Sequence, residues 1–277
     1  MSFTTSDSPN LLSRQPAVAG LFYPADPDEL HEMVQDMLQN AHKLPGHQVK
    51  ALIAPHAGYI YSGPIAASAY VQLYTLKDKI KRVILLGPSH RVPFHGLACS
   101  SADYFHTPLG DIPVDKDALE QVASLPQIQM LDQAHQQEHS LEVHLPFLQE
   151  VLDEFVLVPL VVGDASADEV AQVLDILWGG DETLIVISSD LSHYHDYDTA
   201  QQMDNETSYA IESLRPDDIK YDSACGRNPV NGLLRLARKR GLHATTIDLR
   251  NSGDTAGPRD HVVGYGAYLF NDGSTTD

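Results

Sequence analysis

The segment ALIAPHAGYIYSG, residues 51–63, joins an apolar run to a proline and a histidine. A short apolar run that ends in this way is typical of a strand covered on both faces. Proline cannot donate to a strand ladder, so the strand is expected to end at Pro55 and to present His56 at its carboxyl end. The segment therefore predicts a buried sheet that carries chemistry at one edge.

Apolar runs of the same kind recur along the chain and alternate with helical patterns. We predict strands at 50–55, 82–88, 155–163 and 183–190, with a closing strand at 262–270. The helical patterns cover 27–41, 140–152, 167–178, 198–214 and 228–241. Strands that alternate with helices predict an α/β fold with a central, mostly parallel or mixed sheet flanked by helices. We expect a single domain at 13–272, with flexible ends at 1–12 and 273–277.

The composition narrows the classes of partner and location. The 277 residues carry 18 Lys+Arg against 38 Asp+Glu, a net charge of -20 that would repel nucleic acid. No apolar run approaches the roughly 18 residues of a membrane span, and the start lacks a secretion signal, so we expect a cytoplasmic protein. Two cysteines make no disulfide framework, and Cys99 is expected to be a small buried residue. The 14 histidines direct attention to metal binding.

Histidines and an aspartate follow three of the predicted strands at their carboxyl ends. They are His56 after the first strand, His90 after the second, and Asp190 and His193 after the fourth. Open α/β sheets bind their ligands beyond these strand ends. Neutral imidazole and carboxylate are usual ligands of iron, zinc and copper. A lone histidine in such a place is more often structural, but three loops of this kind predict a metal site.

The segment EHSLEVHLPFLQ, residues 138–149, adds two more histidines near the start of a predicted helix. Leucines at helical spacing form the stripe that would pack against the sheet. His139 precedes the helix and is interpreted as a base or a substrate contact. His144 lies between stripe positions, where a partly buried packing histidine is the simpler explanation. The spacing differs from the His-Glu-x-x-His pattern of zinc proteases.

The segment CGRNPVNGLL begins at Cys225 and leads into a predicted helix, with Asn228 as N-cap and Pro229 as the first helical residue. A thiol ahead of a helix and close to Arg227 is expected to favour the thiolate, which would make Cys225 a nucleophile or a soft metal ligand. The sequence contains neither a glycine-rich phosphate loop after a strand nor the Gly-x-Ser-x-Gly elbow of hydrolases. A nucleotide cofactor is therefore not predicted.

Five motifs, in the order APHAGYIYSG, LLGPSHRVP, EHSLEVHLPF, SSDLSHY and CGRNPV, make the chain closely resemble the Memo family. Bacterial members of this family are called AmmeMemoRadiSam system protein B. The resemblance runs from AVAGLFYPADPDEL to GYGAYLF. It implies a fold similar to the class III non-heme iron dioxygenases, the extradiol enzymes that open catechol-type rings. It also implies functional links to a radical-SAM enzyme and an AMMECR-type protein.

The same resemblance implies roles for individual residues. His56 and His90 fall on the positions that hold iron, and Cys225 matches a cysteine that Memo proteins present to the metal. Asp190 and His193 match an aspartate and a histidine of the pocket, whereas His139 and His144 fall in the His-Ser-x-Glu-x-His segment of the family. The ring-cleaving enzymes use two histidines and a carboxylate. A thiolate in place of the carboxylate implies that copper or iron redox chemistry is as plausible as ring cleavage.

Three functions are compatible with the sequence. The first is a redox or dioxygenase-like protein that uses Fe(II), or else copper or zinc, on an unknown small molecule. Its catalytic residues would be Asp190, His193 and His139, and its substrate pocket would contain Tyr59, His144 and Arg227, with Tyr61 and Tyr194 as aromatic walls or ordinary packing. The second is a non-catalytic adaptor that binds a phosphopeptide or protein in the same pocket. The third is a metallohydrolase in which Asp190 is the base for a zinc-activated water.

Overall fold

The structure, a computed structural model, describes residues 11–44 and 49–272. Residues 1–10 and 273–277, which include most of the predicted flexible ends, lie outside the described residues. Leu12 is held by the fold, because its N–H donates to Asp103 Oδ2 (2.9 Å) and its carbonyl accepts from the Asp103 N–H (2.7 Å). None of the helices in the described ranges combines the length and the apolar composition that a membrane crossing requires.

The strands of the described chain form a large central sheet and a small three-stranded sheet. They are β1 (Ser13–Arg14), β2 (Ala51–Ala54), β3 (Arg82–Pro88), β4 (Leu97–Cys99), β5 (Tyr104–Thr107), β6 (Gly110–Pro113), β7 (Ile128–Met130), β8 (Val156–Val162), β9 (Thr183–Ser188), β10 (His193–His195), β11 (His243–Asn251) and β12 (Val262–Asn271). The central sheet has the order β10-β12-β2-β9-β3-β8-β4-β7, and β11 also pairs with β12. The small sheet has the order β1-β5-β6.

Four parallel strands form the middle of the central sheet. In this part β2 pairs with β9 (Ala51 opposite Ile185), β9 with β3, and β3 with β8 (Ile84 opposite Val158). These strands are buried almost throughout because helices cover both of their faces, which explains their continuous apolar sequences. The four apolar runs predicted to be strands are confirmed.

Antiparallel strands extend the parallel centre, so the sheet is mixed. The strand β12 runs antiparallel to β2, with Leu269 opposite Leu52, and β4 runs antiparallel to β8, with Leu97 opposite Val162. The predicted closing strand is confirmed as β12, which continues one residue further than expected. The fold is a single α/β domain, as the alternation of strands and helices predicts.

Helices pack against the central sheet in two groups. They are α1 (Pro27–Asn40), α2 (Tyr59–Tyr70), α3 (Lys116–Val122), α4 (Asp132–Gln136), α5 (Leu145–Val151), α6 (Ala167–Ile176), α7 (Tyr197–Glu212) and α8 (Arg227–Arg240). The helices α3, α6 and α8 pack on one another and on β3, β8 and β9. The helices α2 and α7 pack on β11 and β12, and α1 and α5 pack on α2. The order β2-β9-β3 brings the loops after these three strands together at one edge.

Two helix predictions need correction at their starts. The predicted helix 140–152 is a 3-10 turn at Glu142–His144 followed by α5, because Pro146 lies in the first turn of α5 and residues 138–141 are bonded to the sheet edge. The helix α8 begins at Arg227, with Gly226 rather than Asn228 as N-cap. The Asn228 side chain instead donates to the Gly163 carbonyl (2.9 Å), which ties the start of α8 to the end of β8.

Candidate metal centre

Three histidine side chains meet at the edge where β2 and β3 end. His56, His90 and His139 each place a ring nitrogen within 4.8 Å of the other two, so the group could hold a metal ion. The His90 and His139 rings stack with centroids 4.6 Å apart, and His56 meets both edge-on at 5.1 and 5.4 Å. His56 is buried, whereas His90 is exposed, so the cluster opens to solvent on the His90 side.

The hydrogen bonds of Ser188 determine which nitrogen of His56 is free. The Ser188 hydroxyl donates to the Ser140 carbonyl (2.5 Å), and His56 Nδ1 lies 2.6 Å from the same hydroxyl oxygen. A hydroxyl has a single proton, so His56 Nδ1–H must be the donor in the second bond. His56 Nε2 therefore keeps its lone pair, the form in which imidazole binds metals.

Glu138 fixes His90 in the same way. Its Oε1 lies 2.8 Å from His90 Nδ1, and its Oε2 accepts from the His90 backbone N–H (2.6 Å). Burial alone would raise the pKa of Glu138, but the hydrogen bond and charge of His90 and further backbone N–H groups outweigh it and lower the pKa to about 2. The ionised carboxylate accepts the Nδ1 proton, and in the neutral ring this bond puts the lone pair of His90 on Nε2.

His139 is held by a loop that is bonded to the ends of two strands. Its neighbour Ser140 donates from its hydroxyl to the Pro88 carbonyl (2.8 Å), and the Ser140 carbonyl accepts from Ser188. The Phe22 ring packs on His139 at 4.9 Å between centroids. Burial and the nearby His90 lower the pKa of His139 to about 4, so this imidazole is neutral at pH 7. Burial also holds the pKa of His56 well below its ordinary value.

Cys225 lies beside the histidine cluster. Its Sγ is 3.2 Å from His56 Nε2, and its backbone N–H donates to the Asp190 carbonyl (3.3 Å). Cys225 is half-buried, and desolvation together with the nearby Asp190 carboxylate raises the pKa of its thiol above the ordinary value. The raised pKa runs against the expectation that the position favours a thiolate, because burial outweighs the helix start and Arg227. A bound metal would have to displace the thiol proton.

The two further predicted catalytic residues, Asp190 and His193, also lie near the cluster. Asp190 is buried, its Oδ1 accepts from the His56 backbone N–H (2.7 Å), and burial raises its pKa to about 7. His193 belongs to β10, and desolvation lowers its pKa, with a smaller contribution from His90. The next residue, Tyr194, has a left-handed backbone (φ 61°) at an irregularity in the pairing of β10 with β12. The His193 and Tyr194 rings meet edge-on, with centroids 5.9 Å apart.

Of the three predicted pocket residues, two are buried and one is accessible. Tyr59 is 2% exposed, and its hydroxyl donates to the Val143 carbonyl (2.6 Å). His144 is 1% exposed, shares a hydrogen bond with the Tyr70 hydroxyl (2.7 Å), and has a pKa lowered by burial to about 3. Both side chains are enclosed by the core, and their place in a substrate pocket stays a prediction. The packing explanation for His144 fits its position.

Arg227 lines an open cleft that also reaches Cys225. The cleft has a volume of about 550 Å³ and lies between the ends of β3 and β8 and the start of α8. Of the predicted aromatic residues, Tyr61 is 37% and Tyr194 73% exposed, so both face solvent near the site. Cys99, the last residue of β4, is buried as expected, and burial raises its pKa to about 11.

Sequence reasoning missed the residues that orient the histidines. The sequence motifs assign no role to Glu138 or Ser188, although both form hydrogen bonds with imidazole nitrogens. The buried Glu142 carboxylate binds Arg14, the backbone N–H groups of Ala17 and Val18, and the Tyr23 hydroxyl. It thereby fastens residues 14–23 to the loop that carries His139. The adjacent acid and histidine in EHS were the available signal for Glu138.

The fold and the cluster define a single-domain α/β protein with histidines at the strand ends and a candidate metal centre. The family model of the Memo-like proteins matches residues 14–269, and the chain belongs to this family. A MEMO1 family protein of Saccharolobus solfataricus is 33% identical over 94% of this chain and 99% of its own. A MEMO1 family protein of Aquifex aeolicus is 34% identical over 93% of this chain and 98% of its own.

A solved structure supports the fold assignment. It is the crystal structure of an uncharacterized protein from Escherichia coli K12, with a TM-score of 0.52 and 12% sequence identity. The similarity covers 79% of this chain and 98% of that one. At this identity the likeness concerns the fold alone.

Proposed function

We propose that this Memo-family protein binds Fe(II) through His56, His90 and His139 and uses it in an oxidation of a small molecule by oxygen. The observation that carries the proposal is the pair of hydrogen bonds from His56 Nδ1 to Ser188 and from His90 Nδ1 to Glu138. In the neutral ring both bonds put the lone pair on Nε2, and such outer partners are a regular feature of metal-binding histidines. Cys225, beside His56, is proposed as a fourth donor.

The donor set fits a transition metal. Imidazole suits iron, copper and zinc, and a nearby thiol adds a soft donor, whereas Mg²⁺ and Ca²⁺ prefer oxygen. The Glu138 carboxylate is already bonded to His90 and to the backbone N–H groups of His139 and Ser140, so it supports the cluster from outside. A bound Fe(II) ion would supply Lewis acidity and one-electron redox chemistry that these side chains lack.

The surrounding residues are proposed to handle protons and substrate. His193 is neutral and half-buried, so it can accept a proton from a substrate hydroxyl. Asp190, with its pKa near 7, can hold or release a proton at neutral pH. The exposed rings of Tyr61 and Tyr194 would pack on an aromatic substrate. In this proposal His139 is a ligand instead of the catalytic base that the sequence suggests.

Oxygen consumption tests the proposal. The full chain, loaded anaerobically with Fe(II), would be exposed to oxygen with a panel of catechols, and the zinc-loaded chain would serve as control. We expect uptake with iron only, its loss in His90→Ala, and a decrease of about 10²- to 10⁴-fold in His193→Ala with iron retained. Uptake by neither form would reject the redox function. Metal-independent binding of a phosphopeptide would then favour an adaptor, and zinc-dependent hydrolysis a metallohydrolase.

A further inference from the structure

We propose that Arg227 binds an anionic group of the substrate in the cleft beside the histidine cluster. The proposed class is a small molecule with a carboxylate or a phosphate. This inference rests on the proposed function, because it identifies the bound molecule with the substrate of the metal centre. It adds a recognition site that neither the metal ligands nor the proton-handling residues supply.

Most arginines of the described chain form an ion pair with a carboxylate, but Arg227 does not. Acidic residues outnumber basic ones in this chain, and most arginines are paired with a carboxylate. The paired arginines are Arg14, Arg82, Arg215, Arg235, Arg240, Arg250 and Arg259. Within the described ranges, Arg91, Arg227 and Arg238 form no such pair. Arg91 follows His90 directly and Arg227 lines the cleft with Cys225, so two of the three flank the candidate metal centre.

The described residues hold the Arg227 guanidinium in place but accept hydrogen bonds from few of its N–H donors. It has five N–H donors, and Nη2 donates to Asn228 Oδ1 (3.2 Å). The Asn228 amide is itself fixed by its bond to the Gly163 carbonyl. The Tyr221 ring lies over the guanidinium, with 5.4 Å between Cζ and the ring centroid. An oriented guanidinium with free donors is suited to bidentate recognition of a planar carboxylate or a phosphate.

The cleft has the size and charge that an anion requires. Its volume of about 550 Å³ lies within the usual range for small-molecule sites. The carboxylate that lines it, Asp164, lies 3.2 Å from His95 Nδ1 and is mostly exposed, so it opposes an anion only weakly. Cys225 lines the same cleft and lies 3.2 Å from His56, so a molecule bound at Arg227 would extend toward the cluster.

The test compares matched probes of different charge. Benzoate, phenyl phosphate and neutral benzyl alcohol would be titrated calorimetrically into the full chain, both metal-loaded and after chelation. We expect benzoate or phenyl phosphate to bind at least about tenfold more tightly than benzyl alcohol, and their ratio separates a carboxylate site from a phosphate site. Arg227→Gln should abolish the preference for anionic probes. Arg227→Lys should keep part of it, because lysine retains the positive charge but lacks the planar guanidinium with its paired N–H donors.

Arg238→Gln is the matched control, since it removes an unpaired arginine from the other end of α8 and should leave the preference intact. Metal content would be measured on every sample. A chain that binds no metal but keeps the Arg227-dependent preference for anionic probes would contradict the proposed function and would still support anion binding at Arg227. Equal affinity for all three probes, no binding at millimolar concentration, or a preference that survives in Arg227→Gln would overturn the anion site.

Discussion

The Ser188 hydroxyl accepts from His56 Nδ1–H (2.6 Å), and this bond leaves the lone pair of the imidazole on Nε2, which lies 3.2 Å from Cys225 Sγ. Because Ser188 gives its own proton to the Ser140 carbonyl, the same hydroxyl orients His56 and anchors the loop that carries His139. A strand-end serine thus connects two proposed ligands that are far apart in sequence. The arrangement makes the donor geometry a property of the fold that exists before metal binds.

Replacing Ser188 with alanine should weaken metal binding without removing a ligand. The substitution deletes the acceptor for His56 Nδ1–H, and loss of such an outer partner typically costs about 10- to 100-fold in metal affinity. Competition with a chelator of known affinity measures the change. Ser100→Ala, a buried serine that bonds Asp132 instead of a histidine, should have wild-type affinity. Equal affinities in the two variants would show that Ser188 has no orienting role.

The pH dependence of metal affinity should reveal whether Cys225 is a ligand. Burial raises the pKa of the thiol, so binding as thiolate must release a proton, and affinity should rise about tenfold per unit between about pH 7.5 and about pH 9. Because burial lowers the pKa values of His56 and His139, these imidazoles are already neutral in that range, release no proton when metal binds and add no slope.

Co(II) titrations would measure this slope and also show a thiolate-to-cobalt absorption band. Cys225→Ala should flatten the profile and remove the band. A flat profile in the wild-type chain would limit the ligands to the three histidines and exclude Cys225 as a donor.

Much of the fold could be predicted from local patterns, because buried parallel strands are continuous apolar runs. The outer strands β4, β7, β10 and β11 are not predicted, since they are short or half-exposed and carry no such run. The positions of His56 and His90 follow from strand ends. The roles of Ser188 and Glu138 do not, because they depend on contacts between segments distant in sequence. The cytoplasmic location and the radical-SAM and AMMECR-type partners stay predictions.

Glu142→Gln should destabilise the fold strongly. The carboxylate is fully buried and accepts from Arg14, two backbone N–H groups and Tyr23, so the change leaves a buried cation without its counter-charge. Breaking a buried pair of this kind costs about 3–5 kcal/mol in the free energy of unfolding. Urea denaturation measures it. Asp153→Asn, which removes the exposed pair with Lys77, should cost less than about 1 kcal/mol. Similar losses in both variants would contradict this view of Glu142.

Gly226→Ala should displace Cys225 from His56. A Cβ at residue 226 would lie 2.4 Å from the Ser188 carbonyl oxygen and 2.6 Å from Ser189 Cβ, so the start of α8 must move. We expect a stability loss of about 1–3 kcal/mol and a flatter pH profile of metal affinity. Gly241→Ala is the comparison, because its left-handed backbone (φ 71°) costs about 1–2 kcal/mol with the site unaltered. An unchanged pH profile in Gly226→Ala would mean that Cys225 does not need this close packing.

Metal occupancy at equilibrium is the most direct test of the central claim that His56, His90 and His139 hold a metal ion. Wild-type protein and the variants His56→Ala, His139→Ala and His95→Ala would be dialysed against buffered metal and analysed for metal per chain. His95 is the control, since its side chain is exposed and its ion pair among the described residues is with Asp164. We expect near-stoichiometric metal in wild type and His95→Ala and a large loss in the other two. Full occupancy in both His56→Ala and His139→Ala would contradict a metal centre at these histidines.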